Sequence, residues 1–454
     1  MKHKLLVSML TVACASCFAL GLAACKDGDD TTDNKPKPTP DDGPTYVVPE
    51  ENEDTRLAYS LNAGGTYTIT GLGEETKTDI VIPAKIDDIA VTEIAASAFS
   101  NQNTLTKIFI NEGVTTIGEK AFLGCSSLRS ISLPNSVTSV GESAFQGCSN
   151  LIGVSLGSGL TSIADNMFLN CTNIKGIVIP AGVKAIGESA FQGCTKLTDI
   201  EMGAGVETIE SRAFSNCTGL VKVSVGEGVK MIGNNVFENC TSLNKIVVPN
   251  SVRYIGTNLL TGCNDIQTIS VPFVGAFRFD DAPANFNPPE DANIADAIIN
   301  SAIDKNDPTT YGHFSYFIGG DKTSDNAFYT PNFNNDVTLI ITDSAVITEN
   351  SCFNVFKVKT VIIQGNLKEI DSAAFAVAWD LKTIVLPKSV TSIHADAFQY
   401  SEPQVVYYEG TSAEWSNNVK SLSSELNACA KYFYSETAQP GCWHYDENGM
   451  PKLW

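Results

Sequence analysis

Apolar positions along this chain recur with a fixed beat of 23 residues. One unit reads Leu128-x-x-Ile131-x-Leu133-Pro134-x-x-Val137-x-x-Val140-Gly141-x-x-Ala144-Phe145-x-x-Cys148, and Leu151 starts the pattern again. Seven phenylalanines from Phe99 to Phe237 keep this spacing, as do seven cysteines at 125, 148, 171, 194, 217, 240 and 263. Within a unit, the Ile131-x-Leu133 step alternates as a half-buried strand does, and Pro134 stops it because it has no N–H to give a ladder. Val137, Val140 and Ala144-Phe145 then fall three to four residues apart, the spacing of a tight turn or a single helical turn. Eight apolar positions per unit face one side, and a lone coil cannot bury them. The pattern therefore predicts a solenoid, in which stacked coils turn these positions into continuous columns and the strands into a parallel sheet.

A period of about 20 to 29 residues carrying Leu-x-x-Ile-x-Leu is the mark of a leucine-rich repeat. The expected fold is an α/β-type repeat solenoid with a parallel β-sheet on one face, an N-terminal hairpin cap and an aromatic-rich C-terminal cap. Glycine follows the second apolar anchor at 118, 141, 187, 233 and 256, but Ala95, Ala164, Glu210 and His394 hold the equivalent place. That position favours glycine without requiring a conformation open to glycine alone.

Taken in order, residues 1–24 carry Lys2 and Lys4 and then an apolar run from Leu5 to Leu22 with no acidic residue, as an export signal does. Residues 25–55, rich in aspartate and proline, cannot build a core and are expected as a disordered tether. Residues 56–92 form the N-terminal cap, with a hairpin about Gly64-Gly65. Eight contiguous units occupy 93–272, with Leu260 in place of the phenylalanine in the last. An insertion at 273–336, with a helix expected near 290–304, interrupts the array. Repeats resume over 337–403, and 404–454 is the C-terminal cap.

These stretches resemble the BspA-type leucine-rich repeat family of bacterial surface proteins. The resemblance rests on Ala144-Phe145-x-x-Cys148-x-x-Leu151, on Leu133-Pro134-x-x-Val137-Thr138-Ser139-Val140-Gly141 and on the cap-like Gly65-Thr66-Tyr67-Thr68-Ile69-Thr70-Gly71. Val406-Tyr407-Tyr408-Glu409-Gly410, Trp415 and Trp443-His444-Tyr445 resemble the family's C-terminal end. The resemblance implies adhesion to host matrix proteins or other cells; a fold by itself fixes no activity. Leu22-Ala23-Ala24-Cys25 resembles the bacterial lipobox, which implies a lipid on Cys25, a cell-surface location and membrane contact only through that lipid.

Charge narrows the partners. The chain carries 30 basic and 51 acidic residues, a net charge of −21, which disfavours nucleic acid and anionic membrane as ligands. Thirteen cysteines in an exported protein would ordinarily imply disulfides. Here seven recur once per coil, so they are expected as a column of buried thiols. Cys429 and Cys442 are the better candidates for a bonded pair, their connectivity left open by sequence.

No constellation for catalysis stands out. The chain has no Gly-x-Ser-x-Gly, no His-Glu-x-x-His and no phosphate-binding glycine loop. Cys442-x-His444 is half a metal site without a matching pair, so no enzyme activity, metal or cofactor is expected. The outward-facing residues of the repeat strands make a better candidate, a trough of small residues for a protein or glycan ligand. It holds Lys107 and Phe109 at one end and Asp199, Glu201, Lys222 and Lys245 further along. Its mixed charge suits a protein; capture of glycan or peptide nutrients is the alternative, kept open by the aromatic residues of the insertion.

Overall fold

The computed structural model describes residues 56–273, 333–343, 346–347, 357–421 and 423–454. Each repeat contributes two short strands, for example Ser130–Ser132 and Ser139–Val140. Both pair in parallel with their counterparts one unit away: Ser130 lies opposite Gly153, and Thr116 opposite Ser139. The segment around Val137 and Val140, expected as a tight or helical turn, is thus partly a second strand. Its pattern of one polar and one β-branched residue (Thr116-Ile117, Ser162-Ile163, Thr208-Ile209) suits extended backbone, where a branched side chain packs well. Among the described residues the helices are Ser412–Asn418 and Ser424–Ala428, both near the C-terminus.

A third set of intercoil bonds closes each turn. Phe99 N–H donates to the Ala121 carbonyl at 2.8 Å and Asn101 N–H to Leu123 at 2.6 Å, and the following coils repeat the arrangement. Aiming alternate N–H groups along the stack requires residues in the left-handed region on either side of the phenylalanine. Ser97 and Asn101 (φ 56° and 61°), then Lys120 and Gly124 (57° and 70°), have that conformation. Glycine and asparagine recur at the second of these sites because they adopt it at least cost. The glycine column at 118 has a different cause: a Cβ on Gly118 would lie 2.4 Å from the Ala96 backbone nitrogen of the preceding coil. It is close approach, not an unusual φ, that favours glycine there.

Inside, the rings from Phe99 to Phe237 stack with centroids 5.2 to 5.7 Å apart and planes within 13° of parallel. Beside them runs the cysteine column, each residue a free buried thiol. Each sulfur donates to the phenylalanine carbonyl 26 residues earlier, Cys171 to Phe145 at 3.0 Å and Cys217 to Phe191 at 3.2 Å. Ser401 makes the same bond to the Phe375 carbonyl in a coil without cysteine. Burial pushes the Cys125, Cys194 and Cys263 thiols up to about 12, so these three are protonated and unreactive at neutral pH. Cys429 and Cys442 are also free thiols, and Cys429 donates to the Pro403 carbonyl at 2.9 Å.

At the N-terminal end, Ala58–Leu61 and Tyr67–Gly71 form an antiparallel hairpin whose second strand joins Ile89–Ile94 in parallel. The array continues from Thr268–Val271 directly into Val337–Ile341, with Thr268 opposite Thr338 and Val271 opposite Ile341. Residues 274–332 lie outside the described residues, and with them the helix expected near 290–304; so do the leader, Cys25 and the tether.

The last strands extend the sheet and also cover it. Val405–Tyr408, Ala430–Tyr434 and Cys442–Tyr445 add in parallel, and Pro451–Leu453 closes with an antiparallel pair. A second core forms on the outward face, where Trp443 packs with Ile362 and Val385, all fully buried, beneath Tyr407, Tyr432, Tyr434 and Tyr445. Sequence patterning misses this core because Ile362 and Val385 sit at positions that face solvent in earlier coils.

Candidate functional site

Two rows of side chains point away from the main core along the longer strands. The first runs Lys107, Ser130, Gly153, Gly176, Asp199, Lys222, Lys245, and its companion runs Phe109, Ser132, Ser155, Val178, Glu201, Ser224, Val247. Between them Ile108, Ile131, Ile177, Val223 and Ile246 are buried. Asp199, Glu201, Lys222 and Lys245 are all exposed. The alternation holds because successive side chains of a strand point to opposite faces.

The six candidate residues do not form one site. Lys107 and Phe109 lie four rungs from Asp199, about 19 Å at the usual spacing of strands. Lys107 is moreover engaged, 3.8 Å from the Asp79 carboxylate on the neighbouring strand. The other four are contiguous. Asp199 faces Gly176 and Glu201 faces Val178, while Lys222 and Lys245 are directly opposite one another. The backbone ladder is interrupted between Asp199–Glu201 and Lys222–Ser224, which belong to separate sheets.

The second strand ladder behaves differently with the same charges at the same spacing. Glu207 accepts from Lys230 at 2.6 Å and from Lys184 at 3.4 Å, and Arg212 reaches Glu188 at 3.3 Å. Each lysine sits one rung from Glu207, as Lys222 does from Asp199. Yet among the described residues no ion pair joins Asp199 or Glu201 to Lys222 or Lys245. Sequence reasoning missed the Lys184–Glu207–Lys230 column, although its 23-residue spacing was there to find it.

A second feature is chemical. Glu210 takes the place of a column glycine, and burial, helped by the carboxylates of Asp165 and Glu188, raises its pKa from 4.5 to about 7. The folded state therefore holds a proton that the unfolded chain has released. Stability falls as pH rises from about 4.5 through 7, and the full cost remains above that window. Glu210→Gln should leave stability at pH 4.5 unchanged and raise it at pH 8 by about 1 kcal/mol, a figure discounted for partial exposure. Urea titrations at the two pH values check this; an equal effect at both would mean that charge is not the cause.

His444 is engaged without a metal. Its ring stacks on Trp454 with centroids 3.8 Å apart, and Nδ1 lies 2.8 Å from the Tyr445 carbonyl. Among the described residues no group of three or more His, Cys, Asp or Glu is arranged to hold a metal ion.

Comparison with known proteins follows the repeat. The model of the BspA-type leucine-rich repeat region matches in six copies over residues 92–217, 161–277 and 320–421. A leucine-rich cell surface protein of Faecalibacterium prausnitzii A2-165 is similar at 20% identity, over 83% of this chain and 99% of that one, with a TM-score of 0.41. A leucine-rich repeat protein of Bacteroides ovatus is similar at 21% identity, over 86% and 100%, with a TM-score of 0.47. The leucine-rich repeat protein of T. pallidum is 28% identical over 43% of this chain and 91% of its own, with a TM-score of 0.39. No curated protein matches.

Proposed function

The chain belongs to the BspA-type leucine-rich repeat family, and from that premise we propose that it is a lipid-anchored bacterial surface protein binding a protein partner through the outward face of its sheet. Adhesion to host matrix or to other cells is the role this implies. One observation carries the proposal: Asp199, Glu201, Lys222 and Lys245 are exposed together and, among the described residues, form no ion pair, while Glu207 on the neighbouring ladder is paired with Lys184 and Lys230 on the rungs either side. Unpaired charges of both signs steer encounter and select partners more than they add affinity. Lys107, already held by Asp79, and Phe109 contribute less.

The test begins with a screen of the mature domain against matrix proteins and whole cells. For the partner it identifies, replacing Asp199 and Glu201 together by lysine should leave melting unchanged and weaken binding about tenfold at low salt, with a smaller loss at high salt. Unaltered binding at both salt concentrations would remove the trough from consideration. For the anchor, mass spectrometry of the exported protein should find diacylglycerol on Cys25; an unmodified N-terminus would exclude lipidation.

A further inference from the structure

Asp199 and Glu201 lie two residues apart on one short strand, Asp199–Glu201, and both are exposed. Side chains at that spacing leave the same face of a strand from points about 6.6 Å apart. No other coil from Lys107 to Ser270 carries a charge on both outward rows. The neighbouring strand leaves one side of the pair open. Its register sets Gly176 opposite Asp199 and Val178 opposite Glu201, so one carboxylate faces a position without a side chain and the other an aliphatic residue that is 59% exposed. The fold does not require glycine at 176. Its φ lies outside the left-handed region, and a Cβ there would meet only the Asp199 carbonyl oxygen, at an ordinary 3.8 Å. Glycine weakens a strand interior, and it is commonly kept where a ligand or another backbone comes close.

Two carboxylates beside an open, apolar step fit one kind of side chain. We propose that Asp199 and Glu201 receive an arginine from an extended segment of the protein partner, its methylene stem lying on Val178 in the room that Gly176 leaves. The inference rests on the sheet face being the partner's site. A guanidinium is a planar fork of five donors and can give N–H groups to two carboxylates at once, whereas a lysine ammonium is a compact, strongly hydrated point charge. The arginine stem is apolar and covers aliphatic surface while its head stays polar. Lys222 does not fill the place: among the described residues no ion pair joins it to either carboxylate. Lys222 and Lys245 stand opposite one another on the following two strands, both exposed, so an acidic residue further along the same segment would meet them. A segment that is basic and then acidic is therefore complementary to this face.

A biotinylated peptide of sequence serine-valine-arginine-valine-glutamate-serine, displayed on streptavidin, tests the assignment against the immobilised mature protein. Two further peptides carry lysine or citrulline in place of the arginine; citrulline keeps the shape and lacks the charge. The arginine peptide should bind about tenfold more tightly than the citrulline peptide and about threefold more tightly than the lysine peptide. Asp199→Asn with Glu201→Gln should abolish that preference. Gly176→Thr should weaken the arginine peptide about tenfold by filling the room beside Asp199, while melting at or above the wild-type temperature because threonine suits a strand. Gly153→Thr, one coil further from the carboxylates, should bind as the wild type does. Absence of binding, equal binding of the arginine and citrulline peptides, or full binding by Gly176→Thr overturns the inference. If that happens while a screened partner still loses binding on reversal of Asp199 and Glu201, the sheet-face reading stands and the arginine assignment alone fails; a partner indifferent to the reversal removes both.

Discussion

Phe191→Ala should destabilise the protein by about 3 to 5 kcal/mol, the range for removing a large ring from a packed interior. The ring is fully buried and stacked on Phe168 and Phe214 at 5.3 Å on either side. The coil cannot collapse to fill the hole, since its backbone is pinned from both directions: Phe168 N–H donates to the Ala190 carbonyl and Phe191 N–H to Ala213, each at 2.8 Å. The Phe191 carbonyl also accepts the Cys217 thiol at 3.2 Å, so a shift of this turn would disturb a second column. Ser132→Ala, on the outward row, should cost less than about 0.5 kcal/mol. Chemical denaturation of the two variants decides the matter, and equal losses would mean that the inward and outward faces have been exchanged.

Trp443→Ala should have an effect of similar size, about 3 to 5 kcal/mol, but confined to one end. Its indole N–H donates to the Tyr408 carbonyl at 3.0 Å, and its ring lies 4.8 Å from Tyr445 and 5.3 Å from both Tyr407 and Tyr434. Truncation removes the centre of the outward core and bares Ile362 and Val385. Stacked repeats contact their neighbours alone, so damage at one end need not reach the other. Hydrogen exchange should quicken in residues 405–453 and stay slow in residues 130–248. Uniform quickening along the chain would show that the stack unfolds as a single unit. Trp454→Ala, at a ring already 44% exposed, is the control and should cost under about 1 kcal/mol.

The periodicity made the array legible because a 23-residue repeat places the same residue at the same depth in every coil, so Phe145 and Cys148 predict the surroundings of Phe191 and Cys194. What escaped the sequence has three causes. The second strand, such as Ser139–Val140, is two residues long, too short for alternation to register. The outward core depends on the parallel strands added at the end of the sheet, which bring Trp443 over Val385 from 58 positions away. Pairing of charges depends on side-chain reach: Asp199 with Lys222 and Glu207 with Lys230 are spaced alike in sequence, and only the second pair meets. The candidate residues were accordingly named from their exposure, and their division into an engaged Lys107 and an unpaired group of four needed coordinates.

The backbone bonding of each repeat coil to the coils on either side of it also sets how the array would yield to a mechanical pull. A folded coil advances the stack by about 4.8 Å, whereas its 23 residues drawn straight extend to about 75 Å. A load between an anchored N-terminus and a partner held on the sheet would therefore be met by peeling coils one at a time, each surrendering roughly fifteen times its folded length. An array built this way dissipates a sudden tug in small equal steps before the contact at its far end has to break.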